Sequence, residues 1–249
     1  MSENAQTLVV IPAYNEQESL PAVLKELAEQ TPEHDVLVVS DGSTDRTPDV
    51  AREAGVFVAE LPFNLGIGGA LRTGFTFAVR NGYERAVQFD ADGQHDPLAV
   101  RLLLQRLDAG ADMVIGSRFA EGGAVTYEVS WFRRQGMRFL QWLVRVLVRQ
   151  RFTDTSSGFR AFGRPVIEFF AATYPVEYMD SVEALVLACN AGFRVEEIAV
   201  NMRGRTGGAP SSRRLKLLYY YVRLIVVLVV SMTSRGQRAR RTADRGGGG

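Results

Sequence analysis

Two aspartates one residue apart, Asp90 and Asp92, close an apolar run and are followed by Gly93, Gln94, His95, Asp96 and Pro97. An apolar stretch that stops in carboxylates and then meets proline reads as a buried strand running out into a polar loop. Such a loop lies at the carboxyl end of a strand, the edge where open α/β sheets bind ligands. Two carboxylates and a side-chain amide there form a hard, all-oxygen set suited to Mg2+ or Mn2+ holding a diphosphate. The same residues in a solvated acidic turn would hold nothing, so the elements around them must decide.

Thr7 to Ile11 is expected as a short strand closed by Pro12, and Ala13-Tyr14-Asn15-Glu16 as a turn into a helix from about Ser19 to Gln30, with Leu20, Val23, Leu24 and Leu27 on its inner face. Asp35 to Ser40 is a second strand, followed by a turn with helix-capping residues at Asp41-Gly42-Ser43-Thr44-Asp45. Strand, helix, strand implies parallel pairing. Gly55 to Glu60 predicts a third strand; Asn64 to Ala70 is a glycine-rich lead into a helix through about Asn81, and the next strand ends at Asp90. Gly66-Ile67-Gly68-Gly69 lacks dinucleotide spacing and no Walker lysine follows it, so these glycines are read as close passage of backbone past a nucleotide. Residues 97 to 109 predict a helix and Ala111 to Gly116 a strand, after which Arg118 stands on the same edge as the aspartates, able to meet a phosphate.

The whole chain has 249 residues, 46% hydrophobic and 23% charged, enough for one large domain with an appendage. Its net charge of +1 gives no case for nucleic acid, yet basic residues cluster near 133 to 151, 203 to 216 and 235 to 245, which points to phosphate or an anionic membrane surface. Cys189, the single cysteine, sits in an apolar run and reads as core filler; no disulfide framework is possible within the chain. Met1 to Gln6 shows no basic-then-apolar leader.

Five motifs, Val10 to Glu16, Ser40 to Asp45, Asn64-Leu65-Gly66, Asp90 to Gln94 and Gly116-Ser117-Arg118, occur in the order and spacing of inverting glycosyltransferase family 2, which the chain resembles over residues 7 to 212. Within that family it is most similar to the dolichol-phosphate mannose synthases and bacterial polyprenyl-phosphate glycosyltransferases, through Thr153-Asp154-Thr155-Ser156-Ser157-Gly158-Phe159-Arg160 as well. The resemblance implies an α/β fold of glycosyltransferase A type, a Rossmann-like nucleotide-binding sheet flanked by helices, with C-terminal amphipathic or membrane-associated helices. It also implies roles: Pro12, Tyr14, Glu16, Asp41, Asn64, Gly66, Asp90 and Arg205 at the nucleotide sugar, Asp92 and Gln94 on the cation, Arg118 on a phosphate of donor or acceptor, and Asp90, Asp92 and Arg118 as the catalytic set. The donor would be of GDP-mannose or UDP-glucose type and the acceptor polyprenyl phosphate, at the cytoplasmic face of a membrane.

A lipid phosphate is already anionic and needs no base, whereas a sugar hydroxyl would need one, for which Asp180 or Glu183 stands in the matching region. Asp154 and Arg160 are expected to buttress the site through a local ion pair. Trp131 to Phe152 interleaves Phe139, Trp142 and Val146 with Arg133, Arg134, Arg138, Arg145 and Arg149, an expected interfacial helix that offers Arg133, Arg134 and Arg138 to the lipid phosphate; a core helix with snorkelling arginines is the other reading. Met137 stands where the relatives carry a serine. The basic stretch 203 to 212 is expected to close over donor phosphates. About 18 mostly apolar residues from Leu215 to Met232, interrupted by Arg223, are short for a span; they are read as lying in the interface or packing with a small membrane-protein partner, a single span remaining open. Residues 1 to 212 would then be the catalytic domain, 213 to 234 this helix, and 235 to 249 a basic, disordered tail.

Overall fold

The computed structural model describes residues 7–120, 131–175 and 180–203, with backbone alone at 131–137 and at 180. The chain divides into two units, residues 1–209 and 210–249, and only the first contains described residues.

Apolar, β-branched segments alternate with amphipathic ones, and they become β1 (Thr7–Ala13), α1 (Leu20–Gln30), β2 (Asp35–Ser40), α2 (Thr47–Glu53), β3 (Phe57–Glu60), α3 (Ile67–Arg80), β4 (Arg85–Gln88), α4 (Leu98–Asp108), β5 (Met113–Ser117), α5 (Trp131–Val148), β6 (Arg160–Gly163), α6 (Arg164–Thr173), α7 (Asp180–Ala191) and β7 (Val195–Ala199). The strands join one sheet in the order β3-β2-β1-β4-β6-β5-β7. Four of the pairings are parallel, β1 with β2 and β4, β2 with β3, and β5 with β7, while β6 alone runs antiparallel to both β4 and β5. The carboxyl ends of β1, β2, β4, β5 and β7 therefore share one edge with the amino end of β6. That single reversal brings residues 153 to 160 to the edge where Asp90 and Arg118 emerge.

Period-two alternation divides the side chains between two faces. Val9, Ile11, Val38, Val87, Val114 and Ala161 point to a core completed by Leu20, Val23, Leu24 and Leu27 of α1, Ala51 of α2, and Val100, Leu103 and Leu104 of α4. On the opposite face Phe75 of α3 packs edge-on to Phe162 of β6, 5.0 Å between centroids, and against Phe170 and Tyr174. Truncating Phe75, 1% exposed, to alanine would cost about 3–5 kcal/mol. Gly74 lets α3 lie directly on β1, since a Cβ there would stand 2.4 Å from Val10 Cγ1.

Boundaries differ little from expectation. β3 starts at Phe57, β5 spans Met113–Ser117, and β4 ends at Gln88 rather than Asp90 because the last ladder bond beyond it runs from Phe89 N–H to Val10 O, after which the chain turns away. The turn after Asp41 continues into a short helix, α2. The antiparallel β6 was not expected at all: four residues, Arg-Ala-Phe-Gly, carry no readable alternation.

Candidate active site

The first wall of the site is two loops fastened to each other. Asn15, in the left-handed region at φ 55°, donates its N–H to Ser43 Oγ and accepts the Thr44 N–H at Oδ1, 2.8 Å. Gln17 repeats the exchange with Asp45 and Arg46, and Glu16 N–H donates to Thr47 Oγ1 at 2.8 Å. These bonds hold Pro12, half-buried, Tyr14, exposed, and Glu16, whose carboxylate accepts from Ser19 Oγ, along one rim. Asp41, 4% exposed, accepts the Leu65 N–H at 2.7 Å. Burial raises its carboxyl above the ordinary carboxylate range, and the N–H groups of Leu65 and Gly66 pull it back. A side chain is impossible at Gly42: φ is +67° and a Cβ would lie 2.5 Å from the backbone of Phe63 and Asn64. The motif after β2 and the Asn64-Leu65-Gly66 motif are thus one structure, with Asn64 exposed and Gly66 half-buried.

The second element is the Asp90 loop, built on His95. His95 is 3% exposed, stacked on Phe159 at 4.6 Å and edge-on to Phe89. Its Nδ1 accepts the Asp90 N–H at 3.1 Å, so in the neutral ring the proton sits on Nε2, 3.4 Å from Asp90 Oδ2. Burial pushes the imidazole below its ordinary value, opposed by the carboxylates of Asp90 and Asp92; Arg118 and Asp154 act on the same ring, which places all four charges around one point. Asp92, 6% exposed, accepts the Gln94 N–H at Oδ1, and Gln94 is half-buried. Behind the loop, Met202 bridges to His95, Arg203 N–H donates to Gln94 O, and the Arg203 guanidinium pairs with Glu26 and reaches Asp96.

The third element is a charged lattice on the β5–β7 side. Arg118 donates from Nε to Asp154 Oδ2 at 2.7 Å and from Nη2 to Oδ1 at 3.1 Å, a two-pronged pair with Asp154 wholly buried. The turn carrying Asp154 is itself held by Glu197 of β7, which accepts N–H donations from Thr153 and Asp154 at 2.7 Å each. Ser117 and Thr153 join hydroxyls at 2.7 Å, and Gln141 of α5 donates to Thr153 O. The expected Asp154–Arg160 pair is replaced. Asp154 holds Arg118, and the Arg160 guanidinium, fully buried, donates to the carbonyls of Ser157, Ser181 and Thr155. A guanidinium has five donors in a fixed fork, and three turns of carbonyls use it better than one carboxylate.

Residues 8–169 match the model of Glycosyl transferase family 2. The chain belongs to this family. It is 35% identical over 211 residues, 82% of this chain and 79% of the relative, to a polyprenol monophosphomannose synthase of Mycolicibacterium smegmatis. It is 38% identical over 166 residues, 63% and 66% of the two chains, to an undecaprenyl-phosphate mannosyltransferase of Micrococcus luteus. The fold is similar to glucosyl-3-phosphoglycerate synthase of Mycobacterium tuberculosis in complex with Mn2+, uridine diphosphate and phosphoglyceric acid: TM-score 0.68 at 21% identity, with 91% of this chain and 78% of that one covered. The chain is thus a family 2 glycosyltransferase of glycosyltransferase A type.

Within that frame, the structure gathers Pro12, Tyr14, Glu16, Asp41, Asn64, Gly66, Asp90, Asp92, Gln94 and Arg118 on one sheet edge. Arg205 and the rest of the basic stretch beyond Arg203 lie outside the described residues, as do the side chains of Arg133, Arg134 and Asp180. Arg138 is exposed on α5, and Glu183 is half-buried in the first turn of α7. Among the described residues no three His, Cys, Asp or Glu side chains converge to hold a metal. One carboxylate and one amide, Asp92 and Gln94, still fit Mg2+ or Mn2+, which take one or two protein ligands and complete their shell with substrate phosphates and water. The sequence reading passed over His95 and Glu197. The first stood inside the acidic stretch itself, between Gln94 and Asp96, where a lone histidine was its only signal; nothing marked the second.

Proposed function

We propose that this chain transfers a hexose from a nucleoside-diphosphate sugar to polyprenyl phosphate, inverting the anomeric centre, with Mg2+ or Mn2+, at the cytoplasmic face of a membrane. The observation that carries the reading is Arg118, a guanidinium clamped in both prongs by the buried Asp154 on the edge shared with Asp90 and Asp92. A fixed cation opposite an acidic metal loop suits an enzyme that must bring two anions together. The names of the two mannosyl-transferring relatives favour mannose as the sugar and a lipid phosphate as acceptor.

In this reading the rim of Pro12, Tyr14, Glu16 and Asp41 seats the nucleoside, and Asp92 with Gln94 would hold the cation beside the diphosphate. The cation would neutralise charge building on the departing diphosphate. Arg118 holds the acceptor phosphate, so that its oxygen faces the anomeric carbon from the side opposite the leaving group. As that oxygen bonds to the carbon, the bond to the diphosphate breaks and its electron pair leaves with the nucleoside diphosphate. No proton need be removed, since the attacking phosphate is already ionised.

Helix α5 supports the membrane reading. It buries Leu140 and Val144 and exposes Phe139 (41%), Trp142 (57%) and Val146 (52%), with Arg138, Arg145 and Arg149 also exposed. Aromatic and aliphatic side chains between arginines suit an anionic bilayer surface. No described helix is long and apolar enough to cross a membrane, and residues 215 to 232, read as an interfacial or partner-bound helix, lie outside the described residues.

The test is transfer from labelled GDP-mannose, UDP-glucose and related donors to polyprenyl phosphate in detergent with Mg2+ or Mn2+. Labelled lipid lost in Asp92→Asn and largely kept in Glu183→Gln is expected. Labelling that fails in Glu183→Gln and appears on hydroxyl acceptors instead would make Glu183 a base and the product a glycan.

A further inference from the structure

Gln88, the last residue of β4, is an anomaly in the core. It is 1% exposed, and among the described residues neither its amide nitrogen nor its amide oxygen has a hydrogen-bond partner. An apolar residue would fill a central strand position flanked by Val10 and Arg160 at less cost, because a buried orphan amide forfeits its hydration. Asp41, Asp92, Asp154 and Arg160, the other buried polar side chains argued for the site, all have partners, so the exception calls for a partner that arrives later.

Geometry narrows the choice. Gly158, on the turn that leads into β6, has a bare Cα: a Cβ there would lie 3.1 Å from Gln88 Nε2 and 3.1 Å from each carboxylate oxygen of Asp90. The amide and the carboxylate thus both border the space beside the Gly158 Cα, which a methyl group would crowd. Asp90 is a third exposed and now leans toward His95 Nε2 at 3.4 Å. A diphosphate bound at the Asp92 loop would repel a carboxylate at that place, and the inward direction leads to the waiting amide.

We propose that Gln88 is a positioning residue for Asp90, donating its amide N–H to the carboxylate when a nucleoside diphosphate and its divalent cation occupy the site. The loaded site then satisfies a donor that the empty one leaves buried and unpaired, and nucleotide binding gains the difference. This rests on the nucleotide-sugar reading given above.

The experiment uses the full chain with Gln88→Met and Gln88→Leu, reading thermal unfolding of the ligand-free protein and affinity for GDP and UDP with Mg2+ by calorimetry. The two readouts are expected to move in opposite senses. The unfolding midpoint holds or rises because an orphan amide has gone, and nucleotide affinity falls about tenfold or more, the loss of one hydrogen bond to a charged group. Gly158→Ala, which puts a methyl in the slot, should weaken binding similarly. A lower midpoint in both Gln88 variants would mean that the amide is already used in the resting protein and would overturn the proposal, as would unchanged nucleotide affinity beside a wild type that binds. A wild type that binds neither nucleotide would remove the donor reading itself, and this role with it.

Discussion

The β1–β4 half and the β5–β7 half of the site edge are held together by different means. In the first, short polar side chains meet backbone: Asn15 with Ser43 and Thr44, Gln17 with Asp45 and Arg46, Asp41 with Leu65. In the second, ions do the work, Arg118 on Asp154 and Glu197 on the turn beneath. Side-chain–backbone bonds fix the shape of a rim that, in the proposed function, admits a nucleoside. A clamped guanidinium fixes the place of a charge, which in the proposed function meets the acceptor phosphate. The difference makes the first half a device for shape and the second a device for field.

Removing an anchor from each half should break different things. The largest effect is expected from Asp154→Ala, which leaves Arg118, 13% exposed, without its buried counter-ion: about 3–5 kcal/mol in urea unfolding and a collapse of transfer. Gly42→Ala comes next, at about 2–3 kcal/mol from a left-handed φ and a backbone collision; nucleotide affinity measured by calorimetry should fall with it. Glu197→Gln should cost about 2 kcal/mol, because the N–H groups of Thr153 and Asp154 lose their charged acceptor, and should raise KM for the acceptor more than for the donor. If Glu197→Gln weakened the donor alone, or Gly42→Ala the acceptor alone, the division between the halves would fail.

The smallest effect lies away from the site. His34 is buried, with neither ring nitrogen hydrogen-bonded among the described residues, and burial pushes it below its ordinary value, with Glu33 opposing and Arg85 and Arg101 reinforcing. A histidine depressed in the folded state favours folding above its unfolded value near 6.5, and that contribution is lost as pH falls below it. His34→Gln should make the acid limb of stability against pH shallower by at most about 1.4 kcal/mol per pH unit, the share of one proton. An unchanged slope would assign the limb to other groups such as His95.

Much of the first half could be read from the chain, because its signals are local. Thr7 to Ile11 and Asp35 to Ser40 are short β-branched apolar runs bounded by polar residues or proline, and the Asp41 and Asn64 motifs are each contiguous. The second half was legible only in fragments. Asp154 was seen, but its partner stands 36 positions away, and a charge two turns off, Arg160, looked nearer. Glu197 acts across 44 residues, and no spacing rule reaches that far. The reversal of β6 lay hidden for the same reason, since four residues take their direction from neighbours rather than from themselves. His95 was overlooked because acids beside it offered a simpler story, although an imidazole holding the Asp90 N–H shapes the loop those acids occupy.

The hydroxyls of Ser117 and Thr153 meet at 2.7 Å although 36 positions separate them. The backbone leaves the sheet edge at one hydroxyl and is back at it by the other, as a bight of rope returns to its knot. Closing a longer bight costs only about 0.6 kcal/mol per doubling. The hydroxyl pair therefore fixes the two ends of the intervening segment whatever its length, and residues inserted after Ala120 should leave the sheet and the rim of the first half unchanged.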